Sequence, residues 1–198
     1  MDSVDIKALK KDKEFLENLK KLEEEVANSD DIAKVYQLLD VKLTLFSDDE
    51  ESINNLFQKI VDGSFSLIAQ KIENNKNLDL TNPKEWAAAR GIYEYAIQRY
   101  SENDTKSAQE LFLALYHTIE DFEIKEAMMV HAAAIAKGYS LDDFTTKLTK
   151  LEDSDFSDPK AVFITNFVQP IDNLLKMFKD EVAVLNARLN KLKKAQEG

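Results

Sequence analysis

The sequence has no cysteine. That excludes disulfides, thiolate metal sites and a cysteine nucleophile together, and leaves the redox compartment undecided. Glycine stands at 4 and proline at 3 of 198 residues, far below the roughly 7% and 5% of ordinary chains. A sheet protein needs many tight turns, and those two residues supply them. Long helices with short polar breaks fit the composition better. No apolar run approaches the roughly 18 residues of a membrane span. The start, Met1-Asp2-Ser3-Val4-Asp5, lacks the basic residues and apolar run of a secretory signal. These two absences lead us to expect a cytoplasmic protein. No two glycines sit close together, so a phosphate-cradling loop is missing, and no serine stands in a Gly-x-Ser-x-Gly elbow.

What is present is apolar and acidic. Hydrophobic residues make up 44% of the chain, enough for one compact domain with a sizeable core. The formal net charge is -11, which argues against non-specific binding to nucleic acid or to an anionic membrane. The acids concentrate in the middle of the chain, while residues 178–198 carry a small basic excess. A solvated acidic surface keeps a protein soluble. An acidic surface can also imitate nucleic acid and cover a basic site on a partner.

Apolar residues recur at helical spacing along the whole chain. Phe15, Leu19, Leu22 and Val26 predict a first helix from about Val4 to Val26. Ser29 or Asp30 should cap a second, with Ile32, Val35, Tyr36, Leu39 and Leu43 on one face. Ser47 and Glu50 read as a capping box for a third, which carries Leu56, Ile60, Phe65 and Ile68, with Gly63 as a possible bend. Residues 74–82 form the longest polar break, a hinge between a three-helix part and a hairpin part of one domain, 1–198. Asn82 caps the next helix with Pro83 at its first position. Asp104 or Thr105 starts another, whose apolar face runs from Ala108 to Phe122. The stretch around His131 is apolar almost all round and predicts a buried central helix ended by Gly138. Ser140 caps a short helix, and Pro159 begins another that Pro170 should kink or break. Beyond Pro170, Ile171, Leu175, Phe178, Val182, Leu185, Leu189 and Leu192 follow a heptad seam on a long C-terminal helix. The expected fold is therefore all-α: an irregular bundle of helical hairpins, seven to nine helices and no strand. The seam should pair with the N-terminal helix, or with a second copy of the chain.

Ala96, Ala108 and Phe112 fall where a tetratricopeptide hairpin wants small, small and large residues, and Asn103-Asp104 stands at its turn. Residues 89–122 thus resemble one tetratricopeptide hairpin, with Arg99 and Leu115 departing from the pattern and no second copy in register. The resemblance implies a groove for a peptide or partner helix, lined by Arg90, Tyr93, Ile97 and Tyr100. The bland alternative is that these aromatics are core.

Chemistry is thinly represented. His117 has Glu120 and Asp121 on its own helical face, but a di-metal bundle needs two Glu-x-x-His motifs and further glutamates. His131 has no acid three or four residues away. Asp153-Ser-Asp155-Phe-Ser157 begins like a calcium loop, but Asp158 and Ile164 stand where glycine and a bidentate glutamate are required. We therefore expect no metal, no cofactor and no catalytic residue. The expected function is a non-enzymatic protein-interaction module: a scaffold, adaptor or chaperone-like protein, monomeric by preference. The other reading is an acidic inhibitor or immunity-type protein.

Overall fold

The computed structural model describes residues 6–153 and 158–196, with side chains placed for residues 8–152 and 158–191. The fold is all-α, and the described residues contain two isolated β-bridges but no strand. The helices are α1 (Ile6–Leu9), α2 (Lys13–Ala27), α3 (Ile32–Leu45), α4 (Glu50–Glu73), α5 (Pro83–Ser101), α6 (Thr105–Thr118), α7 (Phe122–Lys137), α8 (Leu141–Leu148), α9 (Ile171–Met177) and α10 (Lys179–Gln196). Two short 3-10 turns, Leu151–Asp153 and Pro159–Val162, lie between α8 and α9.

Caps account for most boundaries. Asn82 accepts from the amides of Lys84 and Glu85 ahead of Pro83. Asp104 accepts from Ser107, and Ser140 from Asp143. Gly138 ends α7 in the left-handed region at φ 90°, where only glycine is unstrained. Other boundaries move. The first helix divides, because Asp12 caps α2 through Phe15. Asp31 caps α3 and in turn donates its amide to Ser29 Oγ. At α4 the cap is Asp49, accepting from Ser52, in place of Ser47. α4 runs unbroken through Gly63.

Two compact units divide the chain, residues 1–69 with 80–91, and residues 70–79 with 92–198. In the first unit α2, α3, α4 and the start of α5 share a core of Leu19, Val26, Ile32, Val35, Leu39, Ile60 and Ala88. Phe15 and Leu22 pack against that core. Leu43 and Phe65, expected on the buried faces, are exposed.

The second unit is built around α7, where every residue from Ala127 to Ile135 is buried. Small side chains on it allow close backbone approach, and α6 makes its closest packing there. Gln109 Nε2 donates across to the Ala132 carbonyl at 3.0 Å. α5 meets α6 at an edge-on contact of the Tyr93 and Phe112 rings, 5.9 Å between centroids. α9 and α10 also pack on α7. The C-terminal seam is therefore not one helix. It breaks at Phe178 (φ -96°, ψ 23°), whose buried ring meets Tyr139 edge-on at 5.9 Å. Leu185 is buried further along, and Leu192 lies outside the described side chains. Phe15, Leu19, Leu22 and Val26, the residues expected to meet this seam, belong to the core of the first unit or pack against it. The expected helix from Pro159 to Pro170 is only a 3-10 turn and an extended stretch, in which Phe167 bridges Thr149.

Candidate functional site

The residues proposed to line a groove are largely interior. Tyr93 and Tyr100 are 2% and 1% exposed. The Tyr100 hydroxyl donates to the Tyr139 carbonyl at 2.7 Å. Arg90 is half-buried and lies over the Tyr36 ring at 4.2 Å, a cation–π contact within its own unit. Ile97 is half-buried. The two tyrosines correct the sequence reading: they point into the core because α7 and residues 163–167 cover the face a groove would need.

Tyr93 instead organises a buried polar relay. Its hydroxyl accepts from the Ile164 amide at 2.9 Å and sits 3.2 Å from His131 Nε2. His131 Nδ1 is 2.7 Å from the Ala127 carbonyl, one turn back on α7. A carbonyl only accepts, so Nδ1 carries the proton and Nε2 accepts from the tyrosine. The imidazole is fully buried among Phe112, Phe144, Tyr93 and Phe167, with ring centroids between 4.4 and 6.4 Å. Burial lowers its pKa from 6.5 to about 4, against a smaller opposing effect of the Ala127 hydrogen bond. The ring is neutral and fully hydrogen-bonded, and it has no route to solvent. It ties α7 to α5 and to residue 164. Nothing in the arrangement exposes a base or a nucleophile to a substrate.

The other sequence candidates are engaged in structure too. Asp121 caps α7 through the Ile124 amide and pairs with Lys160 at 2.8 Å. Burial pushes its carboxyl up, but the Lys160 and backbone hydrogen bonds outweigh that and hold it below its ordinary value. Glu120 accepts from Asn77. No group of three His, Asp or Glu among the described residues is placed to hold a metal ion. Residues 154–157 of the calcium-like stretch lie outside the described residues.

Surface clefts lie within each unit. One, in the first unit, has a volume of about 450 Å³ and is lined by Val26, Leu38, Leu56, Glu23, Asp49 and Lys59 among others. Lys42 pairs with two of the cleft's acids, Glu23 at 2.8 Å and Asp49 at 3.4 Å, and Lys59 donates to the Val26 carbonyl. The second cleft, of about 290 Å³, lies where α7 and α9 begin. Phe167, Pro170 and Ile171 supply apolar walls, Thr165 and Gln169 polar ones, and Phe122 and Glu123 the α7 side. Phe122 is 67% exposed. One turn further along α7, half-buried Glu126 forms no ion pair among the described residues. Burial and then the charge of Asp172 raise its pKa, with Lys125 opposing.

Sequence reasoning missed this second site because Phe122 was assigned to the apolar face of α6. The signal was available in Asp121, an N-cap residue type followed by Glu123 in the first turn of a new helix. A phenylalanine just inside a helix start need not face the core. Comparison with known proteins finds no match, whether among family models, curated proteins or solved structures. Fold and surface therefore define the class by themselves: an all-α protein whose second unit carries a small, largely apolar cleft with Glu123 in its lining. No helix among the described residues is long and apolar enough to cross a membrane.

Proposed function

We propose that this chain is a non-enzymatic protein-interaction module of the cytoplasm, acting as a scaffold, adaptor or chaperone-like protein. Its working surface is the cleft beside Phe122, which receives an apolar side chain from a protein or peptide partner. Nucleic acid and membrane are not its targets. The carrying observation is the exposure of Phe122, 67%, at a cleft walled by Phe167, Pro170 and Ile171. Singly exposed apolar residues are ordinary, but a large aromatic beside a concave apolar wall is the form of a binding anchor site. The second reading, an acidic inhibitor covering a basic site, draws on the net charge of -11.

Affinity purification of tagged wild type and Phe122→Ala, read by mass spectrometry, tests the proposal. The expected result is a partner recovered with wild type and lost with the variant, the variant remaining folded by circular dichroism. A partner retained by Phe122→Ala would overturn the cleft as the working surface. A partner released steeply by salt and indifferent to Phe122 would favour the inhibitor reading, because long-range charge attraction is screened and apolar burial is not.

A further inference from the structure

The charge around the cleft specifies its occupant more closely. Asp121, Glu123, Glu126 and Asp172 stand at or beside it, against two cations, Lys125 and Lys160. Both cations are already committed. Lys160 bonds Asp121 at 2.8 Å, and Lys125 lies over the Tyr116 ring at 5.3 Å. Two of the acids have a structural explanation, since Glu123 and Asp172 lie in the first turns of α7 and α9 and favour the positive helix ends. Glu126 has none. It lies beyond the first turn, it is half-buried and it forms no direct ion pair among the described residues; burial raises its pKa, Lys125 opposes that, and Asp172 adds a smaller repulsion. Partial burial of a carboxylate without a direct ion pair costs free energy, and a cation arriving beside it offsets that cost.

We infer that the cleft takes a cationic amphipathic segment: an apolar side chain seated between Phe122 and Ile171, with a lysine or arginine within about one helical turn reaching Glu126 and Asp172. This inference rests on the interaction-module reading and names the chemistry of its partner. The added cation would give half-buried Glu126 the direct ion pair it lacks among the described residues and offset the smaller repulsion from Asp172. Apolar contact supplies affinity, and the paired charge selects among apolar segments.

The probe is a short synthetic peptide with a leucine–phenylalanine pair flanked by lysines, added to the isotope-labelled full chain and followed by amide chemical shifts. One control peptide carries glutamates for the lysines, and another carries alanines for the apolar pair. The expected result is shift changes centred on Phe122, Glu126 and Ile171 with the lysine peptide, absent with both controls. Glu126→Gln and Asp172→Asn should each weaken binding by about tenfold, which is the size of one well-placed charge pair. Both variants should fold, since each keeps the shape of the side chain, and Asp172→Asn gives up only a modest helix-end charge interaction. Shifts at the cleft with the lysine and glutamate peptides alike would overturn the cationic occupant and leave the interaction module standing. Shifts from the lysine peptide that map elsewhere, or none at all, would overturn the inference. Loss of partner recovery in Phe122→Ala would then stand alone as support for the cleft.

Discussion

Protonating His131 would place a charge in a ring of aromatics, where desolvation opposes it strongly. Its folded-state pKa lies near 4 and its unfolded value near 6.5. The folded value is the lower one, so the unfolded chain binds the extra proton first as pH falls. The contribution to stability is therefore complete above pH 6.5 and is lost progressively toward pH 4, where it amounts to about 3 kcal/mol. Urea denaturation at several pH values in that window should show this loss, and His131→Phe should remove most of the slope. The same variant should be less stable at neutral pH by about 1–3 kcal/mol, because the buried Tyr93 hydroxyl loses its acceptor. An unchanged slope in the variant would assign the acid sensitivity to carboxylates instead. The relay was not legible in the sequence. His131 among alanines reads only as a core histidine. Its partner is 38 positions away on α5, and Ile164 is 71 positions from Tyr93. No local periodicity encodes such a meeting.

Within the first unit, α4 and α5 approach closely at Gly91. A Cβ there would stand 2.5 Å from Ser64 Oγ and 2.9 Å from Ile60 Cγ2. Both distances are shorter than real side chains tolerate, so Gly91→Ala should destabilise by about 1–3 kcal/mol through overpacking. Ser64 Oγ is buried and has no hydrogen-bond partner. Ser64→Ala should accordingly be neutral or stabilising alone, and should reduce the penalty of Gly91→Ala when combined with it. Thermal melts of the two single variants and the double would check both statements; strict additivity would mean that the clash lies with Ile60. At this scale the sequence was read well where a cap had one or two chemical candidates. Asn82, Asp104, Gly138 and Ser140 act where they were expected. It was read less well where neighbours compete. Ser47, Asp48 and Asp49 can all accept from an amide, and it is Asp49 that accepts from Ser52. The break at Phe178 was invisible because the 4, 3 spacing of apolar residues continues through it, although the backbone does not.

For the molecule as a whole, the C-terminal seam bears on association. Phe178 and Leu185 are buried within the chain, and Glu181 reaches Lys137 at 2.9 Å while Arg188 reaches Glu110 at 2.6 Å. These exposed ion pairs orient α10 on the second unit and add little stability, typically a few tenths of a kcal/mol each. Burial of the two large apolar side chains contributes more, at about 1.5–3 kcal/mol apiece. Ile171, Leu175, Val182 and Leu189 are half-buried, so little wholly apolar surface is left on the seam, and light scattering across a range of protein concentrations should return the mass of a monomer. A dimer that disappears with Val184→Glu, at a position 69% exposed on α10, would show instead that the outer face of this helix joins two copies. The sequence alone determined the helical class, most helix positions and the buried character of α7, because these follow from local spacing, capping chemistry and scarcity of turn residues. The tertiary structure decided which helices pair, that Tyr93 and Tyr100 fill the interior, and that Phe122 faces outward. Each of those outcomes depends on contacts between residues far apart in the chain, and helical periodicity shows only that a face is apolar, not which surface covers it.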